Sequence, residues 1–227
     1  MIRFFIACLF LVFSSIPGVA WAQNGSPFYI SGAGAFSLIQ DPEIGSKDPS
    51  TDAVLQSADT KLELDSGLGA SAAIGVVIKK RFRAEFEYGY KKADATNISL
   101  NTPAGTNVKF PVAGDLSIHS FMLNGAFDFR NKSRFTPYLG VGIGLAAVDI
   151  ENPTFTTAGV TIPADDNGNI VFAYQLLGGV GYWITSQFVA FLDYKYLGTA
   201  DPEFTMTTAT IGSHNFEVGL RYYFSRP

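Results

Sequence analysis

The stretch Glu217-Val218-Gly219-Leu220-Arg221-Tyr222-Tyr223-Phe224 carries a strict period of two. Even positions from His214 through Phe216, Val218, Leu220 and Tyr222 to Phe224 are mostly apolar, whereas odd positions Asn215, Glu217, Gly219, Arg221 and Tyr223 are mostly polar. That period predicts a strand with one apolar face. The stretch favours a wall strand of a barrel, with an edge strand of a soluble sandwich as the alternative.

The same pattern recurs upstream. In Phe188 to Leu197, residues Phe188, Ala190, Leu192, Tyr194 and Tyr196 share one face and leave Asp193 and Lys195 on the other. Ile170 to Trp183 precedes it. Before that, Phe135, Pro137, Leu139, Val141, Ile143 and Leu145 oppose Thr136, Tyr138, Gly140, Gly142, Gly144 and Ala146. A narrow barrel needs small inner residues wherever long side chains cross from the opposite wall. Asp115 to Arg130 sets Phe121, Leu123, Gly125, Phe127 and Phe129 against Met122, Asn124, Ala126, Asp128 and Arg130. Phe82 to Lys91 alternates Phe82, Ala84, Phe86, Tyr88 and Tyr90 with Arg83, Glu85, Glu87, Gly89 and Lys91. Turned toward lipid, that charged set would cost up to about 2–4 kcal/mol for each basic residue near the midplane, so it is expected to face a lumen. Gly67 to Ile78 puts Leu68, Ala70, Ala72, Ile74, Val76 and Ile78 on the apolar side. Phe28 to Phe36 is a first strand whose facing the pattern leaves open.

The connections alternate in length. Short ones are Lys79-Lys80-Arg81, Asn131 to Arg134 and Ile184 to Gln187; long polar ones are Ser37 to Ser66, Ala93 to Gly114, Asp149 to Asn169 and Gly198 to Ala209. All four long segments are expected to be loops on one side, and both chain ends fall on the side of the short turns. Aromatic residues gather near that side at Phe82, Phe127, Phe129, Phe135, Tyr182, Trp183, Phe188, Tyr222 and Phe224, as an interfacial girdle would. The expected fold is all-β: an eight-stranded antiparallel transmembrane β-barrel of the outer-membrane type, in meander order.

The amino end agrees with export. Arg3, an apolar run from Phe4 to Val12 and the small-residue exit Ala20-Trp21-Ala22 have the three regions of a secretory signal peptide, with cleavage expected between Ala22 and Gln23. Residues 1–22 are thus set apart from a barrel domain of residues 23–227. The apolar run is shorter than the roughly 20 residues that span a bilayer, and Cys8 lies too early in it for a lipoprotein. Cys8 is the single cysteine, so no disulfide is expected. The net charge of -4 argues against a nucleic-acid partner.

For chemistry, the lumen is the place to look. Arg83, Glu85, Glu87, Asp193, Lys195, Glu217 and Arg221 are expected there as a charge network, with Lys91, Asp128 and Arg130 also facing inward. Such a network serves either as a gate in a narrow pore or as a salt-bridge plug, and the width of an eight-strand barrel favours the plug. Leu192→Arg is therefore expected to impair insertion far more than Lys195→Ala. No catalytic residues, metal ligands or cofactor are expected. His119 and His214, the two histidines, fall on lipid-facing rows of strands on opposite sides. Asp165-Asp166-Asn167-Gly168-Asn169 begins like a calcium loop, but Ile170 stands where Gly is needed, so a plain Asn-Gly turn is expected. Asn97 and Asn131, which begin Asn-x-Ser triplets, are read as loop and turn residues.

With the strands placed, Leu64-Asp65-Ser66-Gly67, Arg83-Ala84-Glu85-Phe86-Glu87-Tyr88, Gly114-Asp115-Leu116-Ser117, Pro137-Tyr138-Leu139-Gly140-Val141-Gly142-Ile143-Gly144 and the last strand resemble the opacity-type surface-antigen family of small outer-membrane barrels. Glu217, Gly219, Tyr222 and Phe224 resemble the carboxyl-terminal signal by which such barrels are assembled; here Ser225-Arg226-Pro227 follow where many members stop at the aromatic. The resemblance implies a Gram-negative outer-membrane location and a surface antigen or adhesin-like structural protein with exposed loops. A narrow general porin is the alternative. Implied partners are outer-membrane lipid and lipopolysaccharide, the barrel-assembly machinery with periplasmic chaperones, and any host or surface ligand that meets the loops; a monomer is expected.

Overall fold

The computed structural model describes residues 27–40, 45–46, 61–101, 107–157, 160–163, 169–200, 207–208 and 211–226. Eight long strands build the wall: β1 Phe28–Ile39, β2 Gly67–Ile78, β3 Phe82–Asn101, β4 Asn107–Asp128, β5 Phe135–Thr157, β6 Asn169–Trp183, β7 Phe188–Thr199 and β8 Gly212–Tyr223. Each is antiparallel to the next in the chain. β1 also pairs with β8, Gly34 lying opposite Val218 on that side and opposite Ala70 on the β2 side. The sheet thus closes without an edge, and its ladders satisfy the backbone polar groups within the wall, the condition for strands to stand in hydrocarbon.

The outward face is apolar all round. Leu68, Leu123, Leu139, Val141, Ile143, Leu192 and Val218 are all more than half exposed. A belt of this extent would be a liability in water and is the expected surface in lipid. β1 joins the pattern: Tyr29, Ala35, Ser37 and Ile39 are buried while Ile30, Phe36 and Leu38 are exposed. Its facing was hidden because Gly32, Ala33, Gly34 and Ala35 place small residues on both sides. The girdle is built of ring contacts such as Phe82 to Phe127 at 5.1 Å, Phe135 to Tyr182 at 5.0 Å and Phe188 to Tyr222 at 4.9 Å. Trp183 is an exception. It points inward, stacks on Tyr223 at 5.2 Å and donates its indole N–H to Thr136 at 3.2 Å, because it shares the parity of the lumen-facing Gly179 and Gly181.

Two long connections are largely strand. β3 runs on to Asn101 and β4 begins at Asn107, so most of the 93–114 segment is a hairpin; likewise β5 continues to Thr157 and pairs there with Val160–Pro163. Beyond the lipid both faces of a hairpin meet water, so the alternation that marks a membrane strand disappears while the ladder continues. Pro111 is tolerated beside a register shift between Ala95 and Asn97. Lys61–Leu64 adds a further short strand to β3. At the opposite end a three-residue connection, Lys79 to Arg81, joins β2 to β3. Lys79 and Lys80 hold φ of 48° and 64°, the left-handed central pair of a turn closed by Arg81 N–H to the Ile78 carbonyl at 3.3 Å, positions usually given to Asn and Gly. The 1–22 segment, the cleavage residues Ala20, Ala22 and Gln23, and residues 164–168 of the Asn-Gly turn lie outside the described residues.

Candidate functional site: the lumen and the outer hairpins

Alternation brings the inward charges together at mid-barrel. Lys195 on β7 lies 2.7 Å from Glu87 on β3 and 2.9 Å from Glu217 on β8. Arg83 Nε donates to Asp128 Oδ1 at 2.8 Å, and its Nη1 lies 3.5 Å from Glu85. Asp193 accepts from the hydroxyl of Tyr138. Lys91 is buried on the same inner face. Arg221 behaves differently. No carboxylate salt bridge to it is seen among the described residues; its guanidinium lies over the rings of Phe191, Tyr29 and Tyr138 at 5.0, 5.1 and 5.5 Å. Arg130 sits past the end of β4 at the rim, 4.0 Å from Asp128.

Neutral polar groups complete the network. Tyr29 donates to Glu85 at 2.6 Å and Ser71 to Glu217 at 2.9 Å. Asn124 donates to Glu85 and Glu87 at 3.3 and 3.2 Å, and Gln175 donates to Glu87 at 3.4 Å. Sequence reasoning did not include these residues. The signal was present for Ser71, Asn124, Tyr138 and Gln175, whose parity is inward, but a search for charges passes over neutral donors. Small residues make the space: a Cβ at Gly142 would collide with the Asn124 amide oxygen, and one at Gly179 with the Asp193 carboxylate.

The lumen is closed by different chemistry on either side of this layer. Toward the short turns Tyr29, Val77, Val189 and Tyr223 pack with Trp183. Toward the long connections Ile39, Leu116, Ile118, Met122, Val148, Leu197 and Ile211 form an apolar section. Charges in the middle are thereby shielded from water at both ends, which strengthens their pairing and makes each unpaired group costly.

Outside the apolar band, Lys92 pairs with Asp115 at 2.8 Å and Lys109 with Glu63 at 2.6 Å, where Asn97 also donates at 3.1 Å. The Lys109 ammonium, joined by the Asn97 donor, outweighs desolvation and holds the Glu63 carboxyl below its usual range. The Lys92 ammonium does the same for Asp115.

The outer edge of the band carries one constellation twice. Tyr88 and Tyr90 on β3 flank His119 on β4; Tyr194 and Tyr196 on β7 flank His214 on β8. The first tyrosine hydroxyl meets the ring Nδ1 at 2.8 Å in one and 2.7 Å in the other. Two strands separate the copies on either side of the barrel, so they lie on opposite walls and the two histidines share no site.

Comparison with known proteins follows the same lines. A family model described as the outer membrane protein β-barrel domain matches residues 6–224. Outer membrane protein PagN of Salmonella typhimurium is 28% identical over 249 residues, covering 99% of this chain and 100% of that protein. An adhesin candidate of Rickettsia conorii is 26% identical over 184 residues, covering 78% of this chain and 71% of its own. The crystal structure of Neisserial surface protein A superposes with a TM-score of 0.57 at 19% identity, covering 87% of this chain and 97% of that one.

Proposed function

Because the chain belongs to the outer membrane protein β-barrel family, we propose that it is a surface antigen or adhesin-like structural protein whose barrel is an anchor. One observation carries this reading. The lumen is filled along its length by ion pairs and apolar side chains, while the strands continue outward beyond the lipid-facing band as hairpins. A salt-bridge plug is what a barrel of this width needs if it only anchors. Two relatives named as a surface protein and as an adhesin candidate support the same direction. The tyrosine-bound histidines on opposite walls favour a non-enzymatic role over lipid hydrolysis or acyl transfer.

In this reading residues 1–22 direct export and are removed before Gln23. Glu217, Gly219, Tyr222 and Phe224 are the surface that the assembly machinery recognises, after delivery by periplasmic chaperones. The Glu217 carboxylate then serves a second purpose in the folded lumen, beside Lys195. The folded protein is a monomer in contact with outer-membrane lipid and lipopolysaccharide.

The test is display of the full chain on a non-adherent Gram-negative host. Adhesion to cultured cells should rise with the intact barrel and be lost when the β3–β4 hairpin is shortened to join Ala95 directly to Gly114. Adhesion that is unchanged on display, or unaffected by that deletion and by equivalent shortening of the other outer connections, would overturn the reading.

A further inference from the structure

Charge is distributed very unevenly along the barrel axis. Lys79, Lys80, Arg81, Arg130, Lys132, Arg134 and Arg226 all lie at the short-turn end, and none of the 20 acidic residues lies in a turn there. Asp128, the closest of them in sequence, is bonded to Arg83. An unselected mixture of surface charges would not segregate this way in a chain whose net charge is -4.

Four of these basic residues, Arg130, Lys132, Arg134 and Arg226, line one cavity of about 480 Å³ that has Trp183 in its wall and, among the described residues, no acidic side chain. It lies between the 131–134 and 184–187 turns. The backbone N–H of Trp183 bonds to the carbonyl of Arg134 at 2.9 Å, so the indole and this arginine's turn are fixed to one another. Rings of the girdle are immediate neighbours in the chain: Phe129 and Phe135 bracket the first turn, and Phe224 precedes Arg226. Arg130, Thr136 and Trp183 have inward parity, so the cavity is at the mouth of the lumen on the short-turn rim, level with the outward rings that mark the headgroup depth.

We propose that this cavity binds the phosphate of an anionic glycerophospholipid headgroup from the periplasmic leaflet. Arginine suits the task, since its planar fork pairs two N–H donors with two phosphate oxygens. The volume accommodates a headgroup rather than a lone ion and falls in the range usual for small-ligand sites. The strained turn at Lys79 and Lys80 adds positive charge on the opposite side of the rim, where it contributes to attraction without lining the site. The proposal uses only the barrel and its orientation, so it stands or falls independently of any role for the outer hairpins.

Trp183 provides the readout. In the full chain carrying Trp21→Phe it is the one remaining indole. The protein is refolded in nonionic micelles and titrated with short-chain phosphatidylglycerol, with glycerol phosphate, and with phosphatidylcholine and sodium chloride as controls. A saturable change in Trp183 emission is expected with phosphatidylglycerol, weakened at least about tenfold in Arg134→Gln/Arg226→Gln, a variant whose folding is checked on a heat-modifiability gel. Equal saturation by glycerol phosphate at the same concentrations would keep the phosphate chemistry but overturn the lipid assignment in favour of a soluble ester. A response matched by phosphatidylcholine or by sodium chloride, no response, or a response unchanged in the folded double variant would overturn the site itself.

Discussion

Lys195 reaches across the barrel to Glu87, with Nζ 2.7 Å from Oε2. The two residues stand on β7 and β3, strands separated by three others in either direction around the wall, so this one ion pair spans the lumen. Glu217 completes it from β8 at 2.9 Å. A cation placed there holds two carboxylates that are otherwise buried away from water.

Lys195→Ala is therefore predicted to destabilise the folded barrel by about 3–5 kcal/mol, the range for breaking a buried pair from one side. Leu192→Arg, which places a charge in the lipid-facing row, is expected to cost about 2–4 kcal/mol. The expectation from sequence that Leu192→Arg would be far worse is thus revised to comparable effects. Unfolding by urea of the two variants in the same bilayers measures both. Lys195→Met combined with Glu217→Gln removes one charge of each sign, leaves Glu87 to face the buried Lys91, and should recover part of the loss.

Glycine placement gives a second contrast. Gly142 faces the lumen against Asn124, whereas Gly125 faces lipid with nothing within 4 Å of a built Cβ. Gly142→Ala should cost about 1–3 kcal/mol through overpacking, and Gly125→Ala should be neutral or slightly stabilising. Equal unfolding midpoints for the two would show that the inner wall is looser than described.

Strand parity and the alternation of short and long connections made the barrel legible from Glu217, Arg83 and Leu192 alone, because lipid and lumen impose opposite chemistry on successive residues. The charged members of the lumen were legible for the same reason. Tyr29 was not, since the small residues of β1 leave its facing ambiguous. Arg221, expected in the charge network with Asp193, Lys195 and Glu217, lies instead over the rings of Tyr29, Tyr138 and Phe191, which a search for charge partners does not reveal. The outer hairpins were hidden because strands with water on both faces need no alternation.

The Glu63–Lys109 contact ties the added strand to the outer hairpin and predicts a pH response. The Glu63 carboxyl is depressed when the contact is made, so its contribution is present above the usual carboxylate range and is lost as pH falls through the depressed value. Amide exchange at Leu62, Glu63 and Ile98, corrected for intrinsic rate, should lose protection in acid. In Glu63→Gln the protection should be lower at neutral pH and flat with pH.

The repeated tyrosine–histidine constellation predicts similar responses on opposite walls, with His214 the larger because Gln40 also meets its Nε2 at 3.0 Å. His119→Ala and His214→Ala should each cost about 0.5–1.5 kcal/mol, and the double variant should show the sum, because the sites are too far apart to couple. Unfolding of the three variants in bilayers tests this; a strong deviation from additivity would mean the two sites communicate.

Single-channel recording on the refolded chain in planar bilayers, beside a heat-modifiability gel that establishes folding, tests the closed lumen most directly. The account predicts silence from folded protein. Lys195→Ala should stay silent too, because the apolar section from Ile39 to Ile211 still seals the outer half. Stable, salt-dependent conductance steps from the folded wild-type chain would contradict it, and would make the Lys195, Glu87 and Glu217 contact a gate instead of a plug.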